Sequence, residues 1–378
     1  MRSGLLPSVV VALLALACSV RRPTRAETDL CKPDGGLVHT ELSADQSRYL
    51  TPVPPAQAGV DALGDSNAVV INLFGLPSSP ACSVSDFSAL SRLSGLVAVQ
   101  GLPARCLPAF ARTARPPMLR EINIRGDQHT AIDVASLLVF SGLTTIVLND
   151  RSRLSAPLAP LAGLPHLRML VDDSGQRDGI ETLSQLTHLR IWSFDGRLPS
   201  LTRLSALHTF GVVLWETTDL GQLGTPPALE QLVVHAQTRS IDVAPLARLT
   251  SLRRFDVHVS ALEHGDALAH LTSLCALDVS EAQAGVSLAA LAELKRLEYL
   301  AVGVADGPSL EPLARLRALE TLVLSGSCTE SSLDLAPLVQ LPALKRVSLT
   351  GEMKLANRAP LDRQVDLEGP LGCGPQRK

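Results

Sequence analysis

Ile241-Asp242-Val243-Ala244-Pro245-Leu246-Ala247-Arg248-Leu249-Thr250-Ser251-Leu252-Arg253-Arg254-Phe255-Asp256-Val257 is the stretch that decides the fold. Leu246, Leu249, Leu252 and Phe255 stand three apart, and Val257 follows at a spacing of two. A long amphipathic helix accounts for the spacing of three but not for Phe255-x-Val257, which has the period of a strand. Each such run is then broken by Gly, Pro, Ser or Asp. The pattern recurs at Leu268, Leu271, Leu274, Leu277 and Val279, and at Leu291, Leu294, Leu297, Leu300 and Val302. It recurs again at Leu313, Leu316, Leu319, Leu322 and Leu324. Anchoring each run on its third leucine gives positions 96, 119, 143, 167, 189, 207, 229, 252, 274, 297, 319 and 344. These are twelve units stepping by 18 to 25 residues.

Composition agrees with one small unit used many times. Of 378 residues 69 are leucine, whereas Phe, Trp and Tyr together make up 3 %, too few for a mixed aliphatic and aromatic core. Three-spaced leucines followed by L-x-x-L-x-L at a fixed period are the leucine-rich repeat, one short strand plus a return segment. One unit cannot bury its own leucine face, so units stack. The expected fold is therefore an α/β repeat solenoid. It is a leucine-rich-repeat horseshoe of about 12 units, with a parallel concave sheet and short helical or irregular convex segments. A net charge of −3 and the absence of basic patches interleaved with aromatics give no support to nucleic-acid binding.

The amino terminus has the form of an export signal over residues 1–17. Met1-Arg2 is positive, and Leu5 to Ala17 is apolar but too short to span a bilayer. Ala15-Leu16-Ala17-Cys18 resembles the bacterial lipobox, with Ala15 where that pattern prefers Leu. The resemblance implies lipidation at Cys18 and a membrane contact through a lipid anchor only. Plain cleavage at Ala15-Leu16-Ala17, or later after Ala26, is the alternative. Six further cysteines, Cys31, Cys82, Cys106, Cys275, Cys328 and Cys373, are compatible with up to three disulfides in an oxidising compartment, in any of fifteen connectivities. Cys31, Cys82 and Cys106 cluster as staples for an amino-terminal cap, and Cys275 alternatively reads as a small packed thiol.

The return segments carry a closer resemblance. Ile241-Asp242-Val243-Ala244-Pro245-Leu246, Leu333-Asp334-Leu335-Ala336-Pro337-Leu338 and Ser309-Leu310-Glu311-Pro312-Leu313 are similar to the D-I-x-P-L unit of internalin-type bacterial leucine-rich repeats. The similarity covers about residues 86–352. Where that family stacks an Asn, this chain has Ser260, Ala282, Ala305 and Ser327, so the backbone groups served by the Asn ladder need other partners. The 18-residue step at 189–207 and Asp172, at an otherwise apolar position, mark the expected irregularities. The domain organisation expected is a signal peptide at 1–17, a tether at 18–66, the solenoid with its cap at 67–354 and a tail at 355–378. Val69 to Leu73 begins the cap.

Strand periodicity also orders the concave face, because residues flanking the inward pair point outward. It places Arg254, Asp256, His258, Asp278 and Tyr299 beside His235, and expects Asp173 and Asp195 as an acidic pair to one side. His235 and His258 should stack, with Asp256 and Asp278 one column away. Two imidazoles and two carboxylates suggest zinc, but no ligand triad has a recognised spacing, so neither metal nor cofactor is expected. His166 and His188, each preceding a third leucine, read as scaffold. No G-x-S-x-G, H-E-x-x-H, P-loop or dinucleotide motif is present, so catalysis is not expected. The expectation is an exported recognition module that binds a protein or glycan at the cell surface through this patch, with Tyr299 and Arg254 as anchors. The alternative is a structural cell-envelope lipoprotein without a specific ligand.

Overall fold

A computed structural model of the chain describes residues 30–32, 50–52, 60, 70–74, 82–126, 130–149, 153–304, 308–326, 332–351, 353–362 and 364–368. Residues 1–17, read above as an export signal, and Cys18, Cys328 and Cys373 lie outside the described residues. The chain divides into two compact units, residues 1–28 with 37–186, and residues 29–36 with 187–378.

The first unit contains β1 (Leu50–Pro52), β2 (Val70–Asn72), β3 (Ala98–Pro103), β4 (Glu121–Arg125), β5 (Ala131–Ile132), β6 (Thr145–Asn149), β7 (Arg153–Leu154) and β8 (Met169–Asp172). In chain order β1, β2, β3, β4, β6 and β8 pair as parallel neighbours, while β5 pairs β7 on the return side. The tether region thus contributes a sheet strand at β1. The helix Leu107–Thr113 buries Phe110, whose ring meets Phe87 edge-on at 5.4 Å and Phe140 at 5.2 Å. Cys82 and Cys106 are joined, the cap staple that their clustering suggests.

The second unit begins with β9 (His188–Ser193), β10 (Thr209–Leu214), β11 (Gln231–Ala236), β12 (Ser240–Asp242) and β13 (Arg254–His258). It continues through β14 (Ala261–Glu263), β15 (Ala276–Val279), β16 (Tyr299–Gly303) and β17 (Thr321–Ser325). β18 (Leu333–Asp334), β19 (Arg346–Thr350), β20 (Leu355–Ala356) and β21 (Asp366–Glu368) complete it. Its main sheet is parallel throughout, in the order β9, β10, β11, β13, β15, β16, β17, β19, β21. The sheet thereby continues into the expected tail. A leucine-rich-repeat solenoid is the result.

The return segments are mostly 3-10 turns. Pro160, Pro245, Pro312 and Pro337 each sit in a first turn, where the missing N–H costs nothing. Leu246, Leu249 and Leu252 are buried and turn the chain by N–H bonds from each to the carbonyl three before it. Burying a leucine contributes roughly 1.5–3 kcal/mol, and stacking repeats that gain along the solenoid. In place of the Asn ladder, backbone groups bond directly between or within repeats. Gln283 N–H donates to Ser260 O, and Ala282 N–H donates to Val279 O. At Gly285, φ is +82° and an added Cβ would collide with the Leu262 carbonyl, so glycine is required.

Asp172 is an irregularity, as its position suggests. It is fully buried opposite Leu148, where other strands place Ile, Val or Leu. Oδ1 accepts the Ser174 N–H at 2.9 Å, and Oδ2 meets no hydrogen-bond partner among the described residues. Burial pushes its carboxyl up to about 6.

The other irregularity is a register error in the sequence reading. Leu183, Leu186 and Leu189 are all three apart, and anchoring on Leu189 puts Ile191 and Ser193 on the open face. β9 instead pairs His188 with Thr209, Arg190 with Gly211 and Trp192 with Val213. Ile191 lies opposite the inward-facing Val212 and is buried. The repeat anchor is therefore Leu186, which makes the two steps 19 and 21 residues. A shift of one residue exchanges the faces of a strand. His188, read as scaffold, stands on the open face.

Candidate functional site

Arg254, Asp256 and His258 alternate along β13 and so share one face of the sheet. Adjacent strands bring Asp278 beside Asp256 and His235 beside His258. Ala276 lies between Arg254 and Tyr299 on the same face. The expected stack of His235 on His258 is present, with ring centroids 4.2 Å apart and planes within 6°. Burial, with His258 and Arg190 nearby, holds His235 down to about 3, so it stays neutral through the physiological range. His258 Nδ1 lies 2.9 Å from Glu281 Oε1. Asp278 Oδ1 accepts from both the N–H and the hydroxyl of Ser280. Among the described residues no group of three or more His, Cys, Asp or Glu is placed to hold a metal ion.

Asp173 and Asp195 belong to different units. Asp173 follows β8, donates its N–H to Leu148 O and is almost wholly buried, so it is no solvated surface carboxylate. Asp195 lies beyond the end of β9, because the register of that strand gives its third outward position to Trp192. Its Oδ1 accepts the Arg197 N–H in an exposed turn. In the first unit Glu121 is buried against Gln100, and burial pushes its carboxyl up to about 7.

Arg254 and Tyr299, expected as open anchors, are closed off at 4 % and 8 % exposure. Arg254 Nε donates to Asp256 Oδ2 at 2.7 Å, and its guanidinium stands 5.5 Å from the centre of the Tyr299 ring. Its Nη1 donates to two main-chain carbonyls far away in sequence, Leu30 O at 3.3 Å and Lys32 O at 2.8 Å. The turn Leu30–Lys32 is fixed there by a disulfide between Cys31 and Cys275. This corrects two readings: Cys275 is no packed thiol, and Cys31 does not staple the cap. Lys32 Nζ reaches Glu320 at 2.9 Å and Glu298 at 3.5 Å, and Lys345 holds the other Glu320 oxygen at 2.9 Å. Hydrogen bonds from the two lysines draw the Glu320 carboxyl below its usual range.

The Asp256 carboxyl is pushed up by burial in spite of Arg254, with Asp278 adding to the shift. Its Oδ1 is buried without a hydrogen-bond partner among the described residues.

Sequence reasoning missed Glu298, Glu320, Leu30, Cys31 and Lys32 as members of this patch. Glu298 and Glu320 immediately precede β16 and β17, and Cys275 immediately precedes β15. That edge column, with Glu230, Arg253 and Lys345, was available in the repeat. Arg190 and Trp192 were missed through the register error; they lie on the open face with the guanidinium 4.8 Å from the ring centre.

Fold and face define a leucine-rich-repeat protein. No family profile and no curated protein matches the sequence. Solved structures do resemble it. An internalin of Listeria monocytogenes is 18 % identical with a TM-score of 0.46, over 90 % of this chain and 92 % of that one. A second, internalin C2 of the same organism, is 23 % identical with a TM-score of 0.37, over 56 % and 83 %. A leucine-rich-repeat protein of Leptospira interrogans is 14 % identical with a TM-score of 0.40, over 84 % and 100 %. With all three TM-scores below 0.5, the leucine-rich-repeat assignment rests instead on the parallel sheet and the leucine ladder.

Proposed function

We propose that the protein is an exported, surface-anchored recognition module that binds a protein or glycan through the open face of its sheet, without catalysis or cofactor. The observation carrying this reading is the display on the second unit. Nine parallel strands hold outward side chains at the fixed strand spacing of about 4.8 Å. Those side chains include His188, Arg190, Trp192, His235, His258 and Asp278. Charged and aromatic groups on a rigid scaffold supply orientation and anchoring at little entropic cost. Two disulfides support passage through an oxidising compartment, as expected of an exported chain.

The anchoring part rests on Cys18. Cys18→Ser is expected to move the protein from the membrane fraction to the soluble one. Unchanged fractionation with no acyl mass on the mature amino terminus would reduce the reading to plain secretion.

The test of recognition is chemical crosslinking in the native envelope, comparing the parent with Trp192→Ala and with His258→Ala/Asp278→Ala. Partners captured by the parent and lost from folded variants support it. The rival reading, a structural envelope protein, draws on the engagement of Arg254, Asp256 and Tyr299 within the chain itself. Identical crosslinking by parent and variants would favour that rival.

A further inference from the structure

Apart from the disulfide and the Cys31 sulfur, which accepts from Arg253, the turn Leu30–Lys32 meets the sheet through main-chain carbonyls and a lysine ammonium, groups that another lysine-bearing peptide can offer. Arg254 takes the carbonyls of residues 30 and 32, and Glu298 and Glu320 take a lysine ammonium. Leu30 is half-buried and the Lys32 side chain 46 % exposed, with its partners at 35 % and 28 %, while Cys31 between them is buried. Exposed ion pairs of this kind add little, and the hydrogen bonds from the guanidinium to neutral carbonyls add more. The Cys31–Cys275 bond tethers the turn there and so holds one partner at a high local concentration.

A second observation concerns what the turn leaves unmet. Asp256 is 5 % exposed, and its Oδ1 has no hydrogen-bond partner among the described residues. A buried carboxylate oxygen without a donor is costly. The resident turn supplies acceptors to Arg254 and a cation to the glutamates, yet nothing to Asp256 Oδ1. A ligand that added one N–H donor there would complement the patch better than the chain's own segment does.

We infer that Arg254, Asp256, Tyr299, Glu298 and Glu320 form a docking site for a lysine-bearing turn of a partner protein. The chain's own Leu30–Lys32 turn occupies the site in cis while Cys31 is bonded to Cys275. The inference deepens the recognition reading and rests on it. Such a partner presents two main-chain carbonyls two residues apart to the Arg254 guanidinium. It presents an ammonium to Glu298 and Glu320, and an N–H to Asp256 Oδ1.

A dithiol opens the site. One thiolate attacks a sulfur of the Cys31–Cys275 bond, and a mixed disulfide forms as the other cysteine leaves as a thiolate and takes up a proton. The second thiol of the reagent then closes on the first. Two electrons pass to the protein, leaving two cysteine thiols and one oxidised dithiol.

The test uses the full chain and a defined probe, a fluorescent acetylated octapeptide copying residues 29–36 with Ser in place of Cys31. Its titration into Cys31→Ser/Lys32→Glu protein should give saturable binding at least ten-fold tighter than titration into the disulfide-bonded parent. Adding Glu298→Gln/Glu320→Gln to the opened variant should weaken binding ten-fold or more, as should replacing the peptide lysine by Glu. If the opened variant does not fold, Cys275→Ser, which leaves residues 30–32 intact, takes its place. Failure of both to fold would make the bond a brace of the scaffold and overturn the proposal. So would a folded opened variant that does not bind the peptide, binding indifferent to Glu298 and Glu320, or dimerisation by exchange of the segment between copies. The peptide is measured directly, so its failure would leave the envelope crosslinking result standing.

Discussion

Asp172→Asn is expected to stabilise the first unit at alkaline pH and to do nothing in acid. The Asp172 side chain is fully buried, with Oδ1 bonded to the Ser174 N–H and Oδ2 unpartnered among the described residues. Asparagine keeps the shape and the acceptor but carries no charge. Raising a carboxyl from 3.8 to about 6 corresponds to ~3 kcal/mol of preference for the neutral form. The sign follows from where the proton is held. Below pH 3.8 the folded and unfolded chains both carry it, and the charge costs nothing. Between 3.8 and about 6 the unfolded chain has released it and the folded one retains it, so stability falls as pH rises. Above 6 the full penalty is present. Asp172→Asn should therefore gain about 2–3 kcal/mol at pH 8, somewhat below the full penalty because its amide group still lacks an acceptor. That gain is a rise in Tm of about 5–10 °C for a unit of this size. Thermal unfolding of parent and variant at pH 4 and pH 8 measures it. A difference in Tm that is the same at both pH values would refute the reasoning, since a packing change has no reason to follow the titration of a carboxyl.

Leu274→Asp places an unpaired charge in the fully buried stack and should cost about 3–5 kcal/mol, whereas Asp278→Ala, which gives up only the hydrogen bonds from Ser280, should cost about 1 kcal/mol. Equal losses in urea unfolding would mean that the register of this repeat is assigned wrongly. Gly285→Ala should destabilise the second unit by more than ~1 kcal/mol, because the residue has φ of +82° and the Leu262 carbonyl occupies the place of a Cβ. A Tm within 1 °C or so of the parent would show that this turn relaxes freely.

Much of this protein was legible in its sequence, for a physical reason. Each repeat buries its own leucines against copies of itself, so the information that builds a unit is local and periodic. The spacing of Leu246, Leu249, Leu252, Phe255 and Val257 carries the turn, the strand and the inward face together. Alternation at β13 puts Arg254, Asp256 and His258 on one side, and the repeat period alone brings His235 onto His258. Asp172 stood out in the sequence because every comparable position is apolar.

Where the local signal was degenerate, the neighbours decided. Leu183, Leu186 and Leu189 offer two anchors of equal quality, and only the hydrogen bonds of β10 to β9 choose between them, taking Asp195 off the face and putting Trp192 on it. The pairing of Cys31 with Cys275 spans 244 residues, and no spacing announces it. With it came the largest revision. Arg254, open in a reading of strand periodicity, is covered because a turn from the amino-terminal region lies against it, and Tyr299 is closed off with the Arg254 guanidinium over its ring and Ala276 and Ala301 packed beside it. Repeat periodicity specifies which side chains leave the sheet; what meets them there depends on a chain segment outside the repeat, and only the tertiary structure brings that segment to the face.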